Sequence, residues 1–177
     1  TIKGKGSVLF QDNKDDINYI IKKRDKSLDF EGSLIVNKNP INLDLLQYEK
    51  ELDTKAKINL KGTHFFDETI TLKLFSLEEN KNKIIIDQLI FGKNFQVKSF
   101  KKINLNYIDK DFRKNQLIIK NENKIFNLTG SKFNANSLID ILLNSDDSDN
   151  FKLFKEKFNL NIKLEQVFLD KEYTIKN

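Results

Sequence analysis

Residues Gly130 to Asp170 read GSKFNANSLIDILLNSDDSDNFKLFKEKFNLNIKLEQVFLD, and they contain the one segment whose pattern differs from the rest of the chain. Its apolar residues return at intervals of three and four, which predicts a short helix over residues 136–144 with Asn134 or Asn136 as the N-cap. An acidic run follows and ends the helix. A helix of about nine residues is not stable alone, so it must cap the apolar surface of another element. The residues on its apolar side are Leu138, Ile139, Ile141, Leu142 and Leu143.

Outside this segment, apolar and polar residues alternate, as in half-buried strands. SLDFEGSLIV (residues 27–36) is a clear case, and similar stretches return every ~8–14 residues between polar clusters such as DNKDD, EENKNK and KNENK. This spacing predicts a mainly β fold, an antiparallel and strongly twisted sheet of about ten to twelve strands. The residues predicted to share its apolar face are Leu28, Phe30, Leu34, Val36, Leu43, Leu45, Ile58, Leu60, Ile70, Leu72, Leu74, Ile84, Ile86, Phe95, Val97, Ile103, Leu105, Leu117, Ile119, Phe126 and Leu128.

Composition narrows the classes of protein. The chain has 177 residues, a net charge of +5 with both signs mixed, and no cysteine, which excludes disulfides and thiolate metal sites. No apolar run approaches the ~18 residues of a membrane-spanning helix, and no linker divides residues 1–177. The sequence starts at Thr1 without a Met, so we expect one β-rich segment of a longer or processed protein.

No residue pattern predicts catalysis or a bound metal. His64 is the only histidine, and a turn or surface role is favoured for it. Asp146, Asp147 and Asp149 do not fit the calcium-loop pattern of an EF-hand, which favours a solvated loop. We expect no enzyme activity, no metal and no cofactor.

Three further motifs favour structural roles. Gly4 and Gly6 precede a strand, so they do not form a phosphate-binding loop. The glycosylation pattern at Asn127 lies inside a predicted strand. A solvated strand end is favoured over contact with nucleic acid or anionic headgroups for the basic residues Lys22, Lys23, Arg24, Lys101 and Lys102.

Four stretches, in this order, resemble the AsmA-like superfamily of bacterial envelope proteins. GKGSVLFQDNKDDINYIIKKRDKSLDFEGSLIV resembles its first strands, with an L-x-F-x-G-x-L strand at residues 28–34, and PINLDLLQYEKELDTKAKINLKG resembles its L-D-L-P-L-L-G-Y-x-K segment. IIIDQLIFGKNFQVKSF resembles a recurrent strand pair, and LTGSKFNANSLIDILL resembles its G-x-x-L-D-x-x-P-L-L element. The sequence departs from the pattern at Gln47, where Gly is usual, and at Asn136, where Asp or Ser is commoner.

The resemblance implies a curled sheet whose apolar groove carries phospholipid acyl chains between the inner and outer membranes. The predicted apolar-face residues would line the groove, and the helix would cap it. The implied location is the periplasm, within an inner-membrane-anchored protein. The implied partners are phospholipid and further β-segments of the parent chain, with membrane contact through other parts of that chain and no nucleic acid.

Two alternatives stay open: this lipid-carrying segment, or a structural β-domain with a closed core, such as an envelope assembly scaffold. We also predict that at least one terminal strand lies at a sheet edge and pairs with a further part of the parent chain.

Overall fold

The computed structural model describes residues 1–10, 13–51, 53–66, 69–144, 159–169 and 173–176, with backbone alone at residues 10, 94 and 141–144. Within this part of the chain there are fourteen strands, one α-helix and two 3-10 helices, Asp44–Leu46 and Lys93–Phe95. The α-helix, α1, spans Asn136–Asn144, as predicted. The strands are β1 Ile2–Phe10, β2 Asn13–Lys23, β3 Ser27–Val36, β4 Asn42–Leu43, β5 Tyr48–Glu49, β6 Ala56–Phe65, β7 Ile70–Glu79, β8 Asn82–Phe91, β9 Val97–Ser99, β10 Lys102–Ile108, β11 Lys114–Glu122, β12 Ile125–Asn134, β13 Asn159–Phe168 and β14 Thr174–Lys176.

Twelve of these described strands form one large open sheet, so the prediction of a mainly β fold with little helix is confirmed. Its order is β1-β2-β3-β6-β7-β8-β10-β11-β12-β13-β14, with β9 paired to the end of β8. The short pair β4-β5 is separate from it. β1 and β14 lie at the two edges, which confirms the predicted edge position of a terminal strand.

The prediction of an entirely antiparallel sheet was wrong at one place, because β12 and β13 pair in parallel. Neighbouring parallel strands need a crossover connection of about a dozen residues or more. Residues 135–158, which contain α1, are that connection. The helix therefore marks a change in strand direction that the alternating pattern does not reveal.

Tight turns and bulges set the register of the antiparallel part. Asn123 and Lys124, between β11 and β12, both have positive φ (54° and 66°), as a two-residue type I′ hairpin turn requires. The pairing of β6 with β7 shifts between Lys61 and Gly62, which leaves Lys73 as an extra residue in β7. A bulge reverses the side-chain alternation, so the faces of β7 change at this point.

One side of the sheet is partly covered by residues 37–51, which form the larger part of the connection between β3 and β6 and are called the insert below. The insert contains β4, a 3-10 helix and β5, and its Ile41, Leu43, Leu46 and Tyr48 pack on a buried apolar cluster. Leu138 and Ile139 of α1 pack on the same cluster. The members of the cluster in the sheet are Leu77, Ile84, Leu105, Tyr107, Leu117, Phe126, Leu128, Phe133 and Leu164.

Candidate functional site

The register places most of the predicted apolar residues on a single face of the sheet, called the apolar face below. Residues directly opposite each other on neighbouring strands share a face, and an unbroken set of such pairs runs from β3 to β12. The predicted residues on this face are Leu28, Phe30, Leu34, Val36, Ile58, Leu60, Ile70, Leu72, Ile84, Ile86, Val97, Ile103, Leu105, Leu117, Ile119, Phe126 and Leu128.

Four predicted lining residues lie elsewhere. Leu74 is opposite Lys61 on the other face, because the bulge at Lys73 reverses the alternation, and Phe75 takes its place. Leu43 and Leu45 belong to the insert, so they lie outside the main sheet.

Phe95, the fourth residue, was predicted to lie in a strand, but it ends the 3-10 helix Lys93–Phe95 and is 74% exposed. Its φ of 55° lies in the left-handed region, which interrupts the alternation before β9 begins.

The predicted capping residues divide into two pairs. Leu138 and Ile139 pack on the buried cluster, as the capping role requires, whereas the side chains of Ile141 and Leu142 lie outside the described residues. The acidic residues Asp146, Asp147 and Asp149 also lie outside the described residues.

The apolar face has a covered part and a more open part. Beneath the insert and α1, Leu77, Ile84, Leu105 and Leu117 are at most 2% exposed. Toward the other end of β3, β6, β7 and β8 the apolar side chains are only half-buried and do not belong to the buried cluster. This more open part, called the apolar band below, consists of Leu28, Phe30, Leu60, Ile70, Leu72, Ile86, Leu89 and Phe91.

Within the apolar band, the ring of Phe30 lies over Gly62 on the next strand. A Cβ at Gly62 would be 2.7 Å from the Phe30 ring and 2.4 Å from the backbone oxygen of Thr71, so no side chain fits there. The same arrangement occurs near the sheet edge, where Tyr19 lies over Gly4. At both positions an aromatic ring occupies the space that a side chain on the glycine would need.

A buried polar cluster joins the insert, α1 and the sheet at the covered end. The Asp109 carboxylate accepts hydrogen bonds from the side-chain amides of Asn115 (3.1 Å) and Asn134 (2.8 Å). Asn134 also donates to Gln47 of the insert (3.1 Å), and Gln47 in turn donates to Ser137 in the first turn of α1 (2.8 Å). The two covering elements are thus held in place by specific hydrogen bonds as well as by apolar contact.

A second buried polar cluster, around Glu79, fixes the other side of the insert. Its carboxylate accepts hydrogen bonds from the hydroxyls of Tyr48 (2.6 Å) and Thr54, the backbone N–H of Glu51 (3.0 Å) and the amide of Asn82 (3.3 Å). Burial raises the pKa of Glu79, but these hydrogen bonds outweigh that effect, so the pKa lies below its usual value of 4.5. Burial and the neighbouring Glu79 carboxylate raise the pKa of Tyr48.

Alternation did not reveal these two clusters. Glu79 and Asn115 occupy positions that the register places on the apolar face, at the ends of their strands. A polar residue at an apolar position near a strand end was the available signal.

The opposite face is mixed in character and contains a hollow of about 910 Å³ across β1, β2, β3, β6, β7 and β8, lined by Ile20, Leu74 and Ile85 as well as by charged and amide side chains. Lys61 pairs with Glu31 (3.3 Å) and Lys83 with Glu78 (3.1 Å) along it. This hollow is not the predicted apolar groove, because most of the residues lining it lie on the face of the sheet opposite the apolar face.

The remaining sequence motifs lie in ordinary structural positions. His64 is half-buried in β6 opposite Ile70, and among the described residues no three His, Cys, Asp or Glu side chains are grouped to hold a metal ion. Asn127 lies within β12 and accepts a hydrogen bond from Asn161 (2.9 Å). No helix in the described part of the chain has the length and apolar character needed to cross a membrane.

No family model matches the chain, and neither a curated protein nor a solved structure matches it.

Proposed function

We propose that this chain is a segment of a bridge-like lipid-transfer protein of AsmA-like type, which carries phospholipid acyl chains along the apolar face of a curled sheet. In this proposal the segment belongs to an inner-membrane-anchored periplasmic protein, and its partners are phospholipid and further β-segments of the parent chain. The sequence resemblance motivates the family, and one structural observation supports the role: the half-buried apolar band.

The apolar band has the dimensions that an acyl chain needs. It crosses four neighbouring strands, β3, β6, β7 and β8, and strands lie about 4.8 Å apart. The band is therefore about 15 Å wide across the strands, close to the hydrocarbon thickness of one leaflet, half of a ~30 Å core. Each acyl methylene that leaves water for this surface contributes about 0.8 kcal/mol.

A structural β-domain is the second candidate, and a specific observation favours it. The insert and α1 already bury a large part of the apolar face through directional hydrogen bonds. The hollow of the sheet, in addition, lies mainly on the face opposite the apolar band. A scaffold segment would need no further ligand on the apolar band.

The decisive experiment compares adjacent residues of β6 that point to opposite faces. Leu60 is half-buried in the apolar band, whereas Lys61 is exposed and paired with Glu31. The purified protein would be extracted with organic solvent and bound phospholipid measured by mass spectrometry, for the wild type, Leu60→Asp and Lys61→Glu. We expect bound phospholipid in the wild type and Lys61→Glu, and its loss in Leu60→Asp.

A phospholipid with a diazirine in its acyl chain tests the same site in the unaltered protein. We expect cross-links on peptides of β3, β6, β7 and β8 that contain apolar-band residues. Wild-type protein free of phospholipid and without such cross-links would contradict the lipid role and favour the scaffold. Equal lipid loss in two correctly folded variants would contradict the assignment of the apolar band.

A further inference from the structure

One end of the sheet is rich in basic side chains. The alternating pattern of the sequence does not show that these side chains are neighbours. Four connections meet there: the turns β2–β3, β6–β7 and β11–β12, and the segment from β8 through β9 to β10. Backbone hydrogen bonds join them laterally, from Phe66 N to Lys26 O (3.1 Å) and from Asn121 N to Lys101 O (2.9 Å). The exposed basic residues of this end, called the basic rim below, are Lys22, Lys23, Arg24, Lys26, Lys93, Lys98, Lys101, Lys120 and Lys124.

Acidic side chains at this end are fewer. Arg24 pairs with Asp29 at 2.5 Å, so one acid of the rim is already matched. Asp67 and Glu68 add two negative charges to the β6–β7 turn in the sequence, which still leaves a positive excess. The other acids among the described residues of this end are Asp25, Asp87 and Glu122.

Two phenylalanines project from the same end. Phe66 follows β6 and is 50% exposed, and Phe95 closes the 3-10 helix after β8. A positive φ is disfavoured for a residue with a bulky side chain, yet the Phe95 loop is held by a hydrogen bond from Gly92 N to Gln96 O (2.9 Å). The stem of Lys98 lies over Gly92 beside it. The apolar side chain of Phe95 is therefore held in solvent between lysines.

We infer that the basic rim docks on the surface of an anionic lipid bilayer, with Phe66 and Phe95 entering the interfacial region. Lysines near an anionic surface contribute about 1 kcal/mol each, and aromatic side chains bury their apolar area at the headgroup boundary. This inference does not depend on the apolar band, since it concerns strand ends and not a face of the sheet.

A nucleic acid fits the basic rim less well than an anionic bilayer does. Eight of the nine rim cations are lysines, whereas arginine supplies the bidentate fork that recognises phosphate. Proteins that bind single strands place aromatic rings along one groove so that successive bases stack on them. Phe66 and Phe95 instead occupy separate turns at strand ends.

The opposite end of the sheet offers a matched control. Phe112 lies in the β10–β11 turn with a φ of 59° and is 89% exposed, so it is at least as prominent as Phe95. Its turn has mixed charge, with Lys110 and Lys114 near Asp109 and Asp111. The ten residues of β8 separate the two ends by about 33 Å.

The test is vesicle flotation of the intact chain. Vesicles of phosphatidylcholine alone would be compared with equal parts of phosphatidylcholine and phosphatidylglycerol, at low and high salt. We expect binding to the anionic vesicles only, weakened by salt because the exposed charges are screened. The double variant Lys98→Gln/Lys101→Gln should bind on the order of 30-fold more weakly, about fivefold per lysine. Phe95→Ser should bind roughly tenfold or more weakly.

The controls are Lys110→Gln/Lys114→Gln, which removes the same charge from the other end, and Phe112→Ser. Both should float like the wild type. Equal loss from the two ends, or no binding to anionic vesicles at low salt, would overturn the inference. Tighter binding to a DNA or RNA oligonucleotide that displaces the vesicles would overturn it in favour of a nucleic-acid surface. Phospholipid extraction remains unchanged in Phe95→Ser if the apolar band carries lipid, so the two proposals fail separately.

Discussion

Removal of the Asp109 carboxylate is expected to be among the most damaging single changes in this chain. Asp109 is 4% exposed, and both of its oxygens accept hydrogen bonds. One oxygen accepts from the backbone N–H of Asp111 (3.0 Å) and of Arg113 (2.8 Å), and the other accepts from the amides of Asn115 and Asn134. Asp109→Ala therefore leaves four donors without their acceptor, and the two side-chain amides among them lie in fully buried hydrogen bonds.

The magnitude follows from the fate of those donors. Hydrogen bonds to a charged group contribute about 1.5–3 kcal/mol each. Asn115 keeps a bond to the Arg113 carbonyl (3.1 Å) and Asn134 keeps one to Gln47, which reduces the loss. We expect Asp109→Ala to lower the free energy of unfolding by about 3–5 kcal/mol, a large part of the ~5–15 kcal/mol of a typical domain.

The assay is equilibrium urea unfolding at neutral pH, followed by far-ultraviolet circular dichroism because the chain has no tryptophan. Asp109→Asn should be intermediate, since it retains one acceptor oxygen for the turn but directs an amide at two amides. Asp111→Ala is the control, because Asp111 contributes its backbone N–H to the cluster, and the change should stay within about 0.5 kcal/mol. A loss below about 1 kcal/mol in Asp109→Ala, or the same loss in Asp111→Ala, would refute this account of the cluster.

Two further predictions concern acid stability and glycine sites. Because the pKa of Glu79 is lowered on folding, its contribution to stability is present above the ordinary pKa of 4.5 and is lost as pH falls through the folded pKa. Glu79→Gln should therefore flatten the acid limb of a plot of unfolding free energy against pH. An unchanged acid limb would contradict the predicted linkage. Gly62→Ala should cost about 1–3 kcal/mol, since its Cβ would meet the Thr71 backbone. Gly6→Ala should be neutral or stabilise by about 0.4–1 kcal/mol, because nothing lies within 4 Å of its Cβ. Thermal unfolding compares the two glycine variants, and an equal fall in Tm would show that backbone crowding is not the cause.

The strand content and the helix could be predicted because each rests on a local period. The pattern in residues 136–144 predicts α1 to the residue, and the alternation in residues 27–36 gives β3 and its apolar side. Local periods also place Leu60 and Lys61 on opposite faces, which the pairing of Gly32 with Leu60 and of Glu31 with Lys61 confirms.

The predictions that were wrong concern features that depend on partners distant in sequence. Leu74 continues the alternation of Leu72, but the bulge that separates them arises from pairing with β6. Leu43 has the spacing of a sheet residue, yet it packs on the sheet from outside through the insert. The direction of β13 depends on the end of the sheet to which its crossover returns. The amphipathic helix before it does not reveal that direction, because such a helix can precede a parallel or an antiparallel strand.

The sequence predicted which side chains form the apolar band, but it did not predict how much of the apolar face is left uncovered. The side chains of the apolar band follow from alternation, whereas their exposure depends on how far the insert and α1 extend over the face. The cluster at Asp109 gathers residues that are up to 90 positions apart, such as Gln47 and Ser137, and no local pattern links them. The basic rim likewise forms only when the turns of several hairpins meet at one end.

The parallel pairing of β12 with β13 also determines whether the two edge strands of the sheet run in the same direction or in opposite directions. β1 runs away from the end that carries the basic rim, and β14 runs back toward that end. With antiparallel neighbours throughout, the strand at the second edge would instead point the other way. Two such sheets placed edge to edge, β14 of one beside β1 of the next, would therefore meet as antiparallel neighbours. The ten neighbour steps along this path thus contain nine reversals of direction, so one further antiparallel step would return the next copy to the orientation of the first.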